Sequence, residues 1–421
     1  MATNETLLEE LAWRGLLYQQ TEGLGVHFAK GTVTAYCGYD PTAPSLHIGN
    51  LVPTMLLVHL ARAGHKAIAL VGGGTAMIGD PSGKSEERPL ASGEAIDANA
   101  AKIHAQLSQL FKSANTAGVA LANNADWLLK IGAVDFMRDV GKHFSVNYML
   151  AKDSVQSRIE TGISYTEFSY SLLQAYDYLQ LYKNQNCTLQ VGGSDQWGNI
   201  TAGMELVRRS AGGEAHVLTA PLITTASGKK FGKTEAGAVW LDPAMTSPYQ
   251  FYQFWINTED ADVGRYLRMF TFMTRGEIEA LEAGHAAAPH ERAAQRALAA
   301  AMTTLLHGAD AARITSEVSR VIFDKKIDAS AIADDVYATL AAEIPSVKYA
   351  KAAELNVLDV LEGAFELSRS AGRKLVQQGG VSVNGEKLSA DSLTVPRDKA
   401  VRGRWFLVRK GGRDIALADV G

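Results

Sequence analysis

Residues 36–50 read YCGYDPTAPSLHIGN. They end an apolar run at Tyr-Cys-Gly, turn through two prolines, and place His47 two residues before Gly49 at the mouth of a helix. The run before, GTVTAYCGY (31–39), is β-rich. The stretch after, NLVPTMLLVHLARAG (50–64), has helical spacing and stops at Gly64. KAIALVGGG (66–74) and CTLQVGG (187–193) are short continuous apolar runs that end in glycine, the pattern of buried parallel strands. Strands alternating with helical stretches predict a doubly wound α/β domain over about 30–220, with ligands bound beyond the carboxyl ends of its strands. An amphipathic helix over 5–20 precedes it.

After Pro248 the composition changes to Ala, Glu, Leu and Arg, which predicts a helical domain over 248–345. From Lys351 it changes again. Residues 357–388 read as two helices and a short hairpin turning at Asn384-Gly385, and GRWFLVRKGG (403–412) as a strand among basic residues. The expected division is 1–222, a loop and linker at 223–247, then 248–345 and 351–421.

Charge follows the same division. The chain of 421 residues has a net charge of −4, but 351–421 carries 12 Lys and Arg against 9 Asp and Glu. That basic tail is what an RNA-binding appendix needs. No segment has the length and apolarity of a membrane span, and the start, MATNETLLEELAWRG, lacks the pattern of a signal peptide. Cys37 and Cys187 have no Cys or His at metal spacing, so neither a disulfide framework nor a metal site is expected, and a reducing cytoplasm fits.

Several motifs bear on chemistry. VGGGTAMIGDPSGKSEERP (71–89) suggests a phosphate loop, but the position that must be glycine is Ile78, and the dinucleotide fingerprint fails at Met77. What survives is a loop able to approach a ligand, with Asp80 as turn former or cation partner. In SYSLLQAYDYLQLY (169–182), Tyr170, Gln174 and Asp177 share one helix face, a set suited to a polar small molecule rather than to a solvated Lys/Glu surface. QVGGSDQWGNI (190–200) places Asp195 just past a strand end, where a carboxylate accepts from ribose hydroxyls; an ordinary turn is the alternative. ASGKKFGKTEAG (226–237) offers Lys229, Lys230 and Lys233 in a Gly/Ser-rich loop, point charges suited to a polyphosphate or simply to solvent.

Taken in chain order, these pieces resemble a known family. His47-Ile48-Gly49-Asn50 is similar to the HIGH signature of class I aminoacyl-tRNA synthetases, and Lys230-Phe231-Gly232-Lys233-Thr234 to their KMSKS loop. With GYDPTAPSLHIGN, GDPSGK and VGGSDQWGNI in order, and a C-terminal part similar to the S4 RNA-binding module, the chain resembles the bacterial tyrosyl-tRNA synthetases over nearly its whole length. The resemblance implies a Rossmann-like catalytic domain, an all-helical domain and a small α+β S4-like domain. It implies tyrosine, ATP with Mg²⁺, and tRNA(Tyr) as substrates and partners, in a cytoplasmic homodimer.

It also implies roles. Tyr36 and Asp177 would hold the substrate phenol; Asp80, Tyr170, Gln174 and Gln196 its ammonium and carboxylate end. Cys37, Gly38, Asp40, Gly49, Asn50, Gly193 and Asp195 would line the adenosine. Thr42, His47, Lys230, Lys233 and Thr234 would act on the phosphates, with Lys84 and Arg88 near pyrophosphate. Arg208, Arg209, Arg369, Arg373 and Lys374 would face tRNA. The chain departs from the family pattern at Asn50, where the signature has His, and at Pro53, which a helix accepts only in its first turn. The rivals are a tryptophanyl synthetase, a non-catalytic RNA-binding relic and a phosphate-loop hydrolase. Tyr36 and Asp177, the intact His47 and lysines, and Ile78 argue against them in turn.

Overall fold

A computed structural model describes residues 4–82, 91–116, 119–156, 158–160, 162–234, 237–324, 328–349, 353–412 and 414–421. Of Lys233 and Thr234 it describes the backbone. Lys84 and Arg88 lie outside the described residues. The chain forms two compact units, 1–247 with 254–298, and 248–253 with 299–421.

The first unit is built on a six-stranded sheet: β1 (Gln19–Gln20), β2 (Thr34–Tyr39), β3 (Lys66–Val71), β4 (Val119–Asn123), β5 (Cys187–Gly193) and β6 (His216–Ala220). Their order is β1-β6-β5-β2-β3-β4. β6, β5, β2, β3 and β4 are parallel, and β1 pairs antiparallel with β6. The chain leaves β2 toward β3 and β4 and returns on the other side at β5. The order therefore reverses between β2 and β5, which opens a crevice beyond their carboxyl ends.

Strand alternation divides β2 between two layers. Tyr36 meets Tyr178 of the Tyr165–Gln185 helix edge-on, with ring centroids 5.3 Å apart. Tyr39 points the other way and donates to Thr54 Oγ1 of the Leu51–Arg62 helix at 3.1 Å. That helix starts at Leu51, so Pro53 falls in its first turn, where no intrahelical N–H is required. The N-terminal helix stops at Trp13 rather than running to residue 20. Gly15, at φ 73°, takes a left-handed conformation that ends it, and the chain then extends into β1.

The helices Asp260–Phe270 and Arg275–Ala287 belong to the first unit. In the second, the helices Ala309–Phe323 and Asp334–Glu343 share a core with the inner face of a C-terminal sheet, through Val318, Tyr337, Trp405 and Leu417. Arg409 of the Trp405–Lys410 strand donates to the carbonyls of Val321, Ile322 and Asp324, closing the end of the first of those helices. The helices Val357–Phe365 and Arg369–Gln377 cover the other face. Asn384 and Gly385 join two antiparallel strands with φ of 50° and 89°, the paired positive values of a type I′ turn. The Asn384 carboxamide is held at both atoms, donating to Lys399 O at 2.9 Å and accepting from Leu407 N at 2.8 Å. Among the described residues, no helix is long and apolar enough to cross a membrane.

Candidate active site

The crevice between β2 and β5 gathers most of the residues singled out above. At its deep end Asp177 is 2% exposed. It accepts from Asn124 Nδ2 at 2.9 Å and Trp127 Nε1 at 2.7 Å. Asn124 Nδ2 also donates to Thr75 Oγ1 at 2.9 Å, and the Thr75 hydroxyl donates to Asp40 at 2.8 Å. Tyr170 donates to the other oxygen of Asp40 at 2.7 Å. One continuous network thus runs from Asp177 to Tyr170 through residues of four separate segments. Its tight packing explains a glycine: a Cβ on Gly72 would stand 2.1 Å from Asp40 Oδ1.

Among the described residues, three buried polar atoms in this region make no hydrogen bond: the Tyr36 hydroxyl, Gln174 Oε1 and Gln190 Oε1. Gln190 stands directly opposite Tyr36 in the β2–β5 register. Leaving a buried polar atom unpaired costs about 1–3 kcal/mol, so three together mark a place suited to a polar guest. Burial pushes the Asp177 carboxyl up to about 7, against the opposing pull of its bonds from Asn124 and Trp127. Burial likewise holds the Tyr36 and Tyr170 phenols well above their usual range, so both remain hydroxyls that can donate.

Nearer the surface, Asp80 accepts from Gln196 Nε2 at 2.8 Å and from Ser82 N at 2.9 Å. Asp195 reaches the surface just past the end of β5, and partial desolvation by its surroundings raises its pKa. Gly38 has nothing within 4 Å of where a Cβ would stand, so the carboxyl end of β2 opens onto free space. The neighbouring Cys37 is 2% exposed, and burial raises its thiol to about 12.

Beyond β2 the signature turn is fixed by Asn50, whose Oδ1 accepts from His47 N at 3.0 Å. Against this turn lies the lysine loop. Ile48 N donates to Val239 O at 3.0 Å, Leu241 N to Leu46 O at 2.9 Å, and His47 bridges Trp240. Gly232, at φ 79°, brings its backbone so close that a Cβ there would be 3.3 Å from Gly49 N. Phe231 anchors the loop by stacking on Phe270 at 5.3 Å, while Lys229 and Lys230, which precede it, remain exposed. The loop tip is fastened by Ala226 N to Asp262 at 2.8 Å and Ser227 to Glu259 at 2.7 Å. A tight turn at the carboxyl end of β2 that faces exposed lysines is suited to a polyphosphate.

Comparison with known proteins decides which chemistry this is. A profile of the family "tRNA synthetases class I (W and Y)" matches residues 29–324, and one of the "Tyrosine--tRNA ligase SYY-like C-terminal domain" matches 336–418. The tyrosine--tRNA ligase of Anaeromyxobacter dehalogenans strain 2CP-1 is 51% identical over 419 residues, 99% of this chain and 100% of the relative. The chain belongs to the bacterial tyrosyl-tRNA synthetases. The tyrosine--tRNA ligase of Bacillus caldotenax is 49% identical over 98% of this chain and 99% of its own. A C-terminally truncated mitochondrial tyrosyl-tRNA synthetase from Aspergillus nidulans superposes with a TM-score of 0.70 at 34% identity, covering 75% of this chain and 94% of that one.

As a tyrosyl-tRNA synthetase, the chain is an ATP-dependent ligase of the class I type on a Rossmann-like sheet. Tyr36, Asp40, Asp80, Tyr170, Gln174, Asp177 and Gln196 come together in the crevice; His47, Gly49, Asn50 and the 230–234 backbone meet at its mouth. Thr42 follows Asp40, with its N–H donating to Asp40 O at 2.9 Å, and Gly193 adjoins the Asp195 side chain. The arginines are placed elsewhere. Arg208 and Arg209 both close on Glu205. Arg369 pairs with Asp359 at 2.9 Å and Glu362 at 3.1 Å, while Arg373 and Lys374 beside it are exposed. Sequence reasoning missed Thr75, Asn124, Trp127 and Gln190. A signal existed for two of them: ANNADWLL (122–129) follows the end of β4, where this sheet class places ligand contacts.

Proposed function

We propose that this tyrosine--tRNA ligase holds its amino acid in the β2–β5 crevice, phenol inward, and forms the adenylate at the mouth. The observation that carries the reading is the Tyr36 hydroxyl, buried beside Asp177 and bonded to nothing. A substrate phenol donates to the Asp177 carboxylate and accepts from Tyr36, completing both. Phenylalanine would leave them unpaired; this enzyme family is itself the standing example of that kind of discrimination. At the other end, Tyr170, Gln174 and Asp80 receive the ammonium, and Gln196 steadies Asp80.

ATP, as its Mg²⁺ complex, lies with adenosine over Gly38 and Gly193, and with ribose at Asp195 and the NH₂ of Asn50. The tyrosine carboxylate attacks the α-phosphorus; the bond from that phosphorus to the bridging oxygen breaks and pyrophosphate leaves. A hydroxyl of the tRNA terminal adenosine then attacks the activated carbonyl and AMP departs. No side chain serves as nucleophile. Positioning and charge stabilisation by His47, Thr42, Lys230, Lys233 and Thr234 supply the catalysis, with Lys84 and Arg88 serving the leaving pyrophosphate. Arg373 and Lys374 are the exposed cations of the C-terminal unit suited to tRNA phosphates, and contacts of that kind weaken with salt.

The working form is a cytoplasmic homodimer. Val134, Met137, Val146 and Tyr165 are large apolar side chains at 50–79% exposure, and Tyr165 touches Met137, which makes a surface suited to a second copy. Amino-acid-dependent exchange of pyrophosphate into ATP tests the reading. Exchange with tyrosine and not with tryptophan or phenylalanine is expected; exchange with tryptophan overturns the phenol assignment.

A further inference from the structure

At the opposite end of the sheet from the crevice, two histidines and a glutamate converge. His216 opens β6, Glu214 lies just before it, and His27 comes from the Leu24–Ala29 helix. One donor atom from each lies within 4.8 Å of the others. The rings of His27 and His216 stand 4.5 Å apart, centre to centre. Thr188, near the start of β5, is part of this end of the sheet. Gly193, at the crevice, is five residues further along the same strand, about 17 Å away at ~3.3 Å per residue. The two places are therefore separate.

Each imidazole has one nitrogen engaged and one left over. His27 Nε2 meets Thr188 Oγ1 at 2.8 Å, and His216 Nδ1 meets Thr21 Oγ1 at 3.3 Å. His27 Nδ1 and His216 Nε2 are buried without a hydrogen-bond partner, although His216 is 3% exposed overall and deeply set. Glu214 Oε1 stands 3.5 Å from His216 Nε2 without closing a hydrogen bond. A buried ring nitrogen normally finds a partner, so two orphans beside a carboxylate require an explanation.

We infer that His27, Glu214 and His216 form a binding site for one divalent transition-metal ion of the zinc or cobalt type. Two imidazoles and a carboxylate are the donor set that such ions prefer. The threonine contacts on the far nitrogens are the outer partners that fix tautomer and ring direction at metal sites. A tetrahedral ion with bonds of about 2.1 Å spaces its donors about 3.4 Å apart, so the three must draw in by up to about 1.4 Å. Lys30, now 2.8 Å from Glu214 and exposed, would be released; a surface pair of that kind is weak. The ion would tie the Leu24–Ala29 helix to β6 and act as a structural clamp remote from the adenylate chemistry. Composition could not disclose this set, because its members lie 187 or more residues apart in one case and only the fold brings them together.

The test uses the full chain without an affinity tag. Titration with Co²⁺, followed by visible absorption and by heat, should show one saturable ion per chain with the spectrum of nitrogen and oxygen donors, displaced by Zn²⁺. Zn²⁺ should raise the melting temperature through its preference for the folded state, with pyrophosphate exchange unchanged. His27→Gln should abolish the spectrum. Glu214→Gln, an exposed change that spares the fold, should weaken binding by at least about tenfold. Absence of a Co²⁺ spectrum and of a melting shift would overturn the site, as would binding that neither substitution alters. Either result leaves the tyrosine-specific exchange, and hence the family function, untouched.

Discussion

The two ends of the substrate crevice are built on opposite plans. The phenol end is buried and cross-braced, with Asp177 fixed by Asn124 and Trp127 and coupled through Thr75 to Asp40 and Tyr170. The phosphate end is made of backbone and exposed lysines, with glycines at the closest approach between the signature turn and the 230–234 segment. Recognition of the side chain needs donors and acceptors that do not move, because discrimination rests on leaving them unpaired with the wrong guest. Charge that grows during reaction is better met by groups that engage it late.

Substitution at each end tests that contrast. Asp177→Ala should have the largest effect, since it strands two buried N–H donors and the substrate phenol. A loss of about 10²–10³-fold in kcat/KM for tyrosine, roughly 3–4 kcal/mol, is expected in pyrophosphate exchange. Lys230→Ala should lower the rate of adenylate formation by about 10²-fold while equilibrium dialysis finds tyrosine affinity changed less than about twofold. Equal losses in rate and affinity would erase the distinction between the two ends.

Acidity gives a third, smaller effect. A phenol donates to a carboxylate, and Asp177 carries a pKa raised to about 7 by burial. Tyrosine binding should therefore tighten by up to about tenfold from pH 6 to pH 8, and Asp177→Asn should flatten that profile. The same shift works against the unliganded fold. Because the folded pKa lies above the unfolded one, the contribution to stability is complete below about pH 4 and is lost as pH rises through 7. Chemical denaturation across that range should show the loss in the parent chain and not in the Asn variant. Smallest of all, Tyr36→Phe should raise the tyrosine dissociation constant about fivefold yet leave the melting temperature unchanged or higher, since the hydroxyl it removes bonds nothing in the unliganded protein. A fall in melting temperature would mean that the hydroxyl has a structural partner.

Local pattern made part of this legible. The strand-turn-helix at 31–64, the polar face of Tyr170, Gln174 and Asp177, and the Asn384-Gly385 hairpin all rest on spacing within one element. The end of the first helix was missed because Gly15 outweighs the apolar spacing that continues through Leu16 and Leu17. Asn124, Trp127 and Thr75 matter through partners about 50 residues or more from them, which spacing does not register. Phe231 sits in a basic loop, and only the fold shows that it is an aromatic anchor on Phe270. Composition marks the segments after 248 as helical, but which core each helix joins depends on faces that meet in three dimensions.

The type I′ turn at Asn384-Gly385 has a consequence for how the protein ages. An asparagine followed by glycine is prone to lose ammonia, because the unhindered next backbone nitrogen can attack the carboxamide carbon, and such residues count among the heat-labile ones. Here both carboxamide atoms are clamped, to Lys399 O and Leu407 N. The folded C-terminal unit thus shields its own most perishable bond, and the chemical clock at that position runs chiefly during the moments when the unit is unfolded.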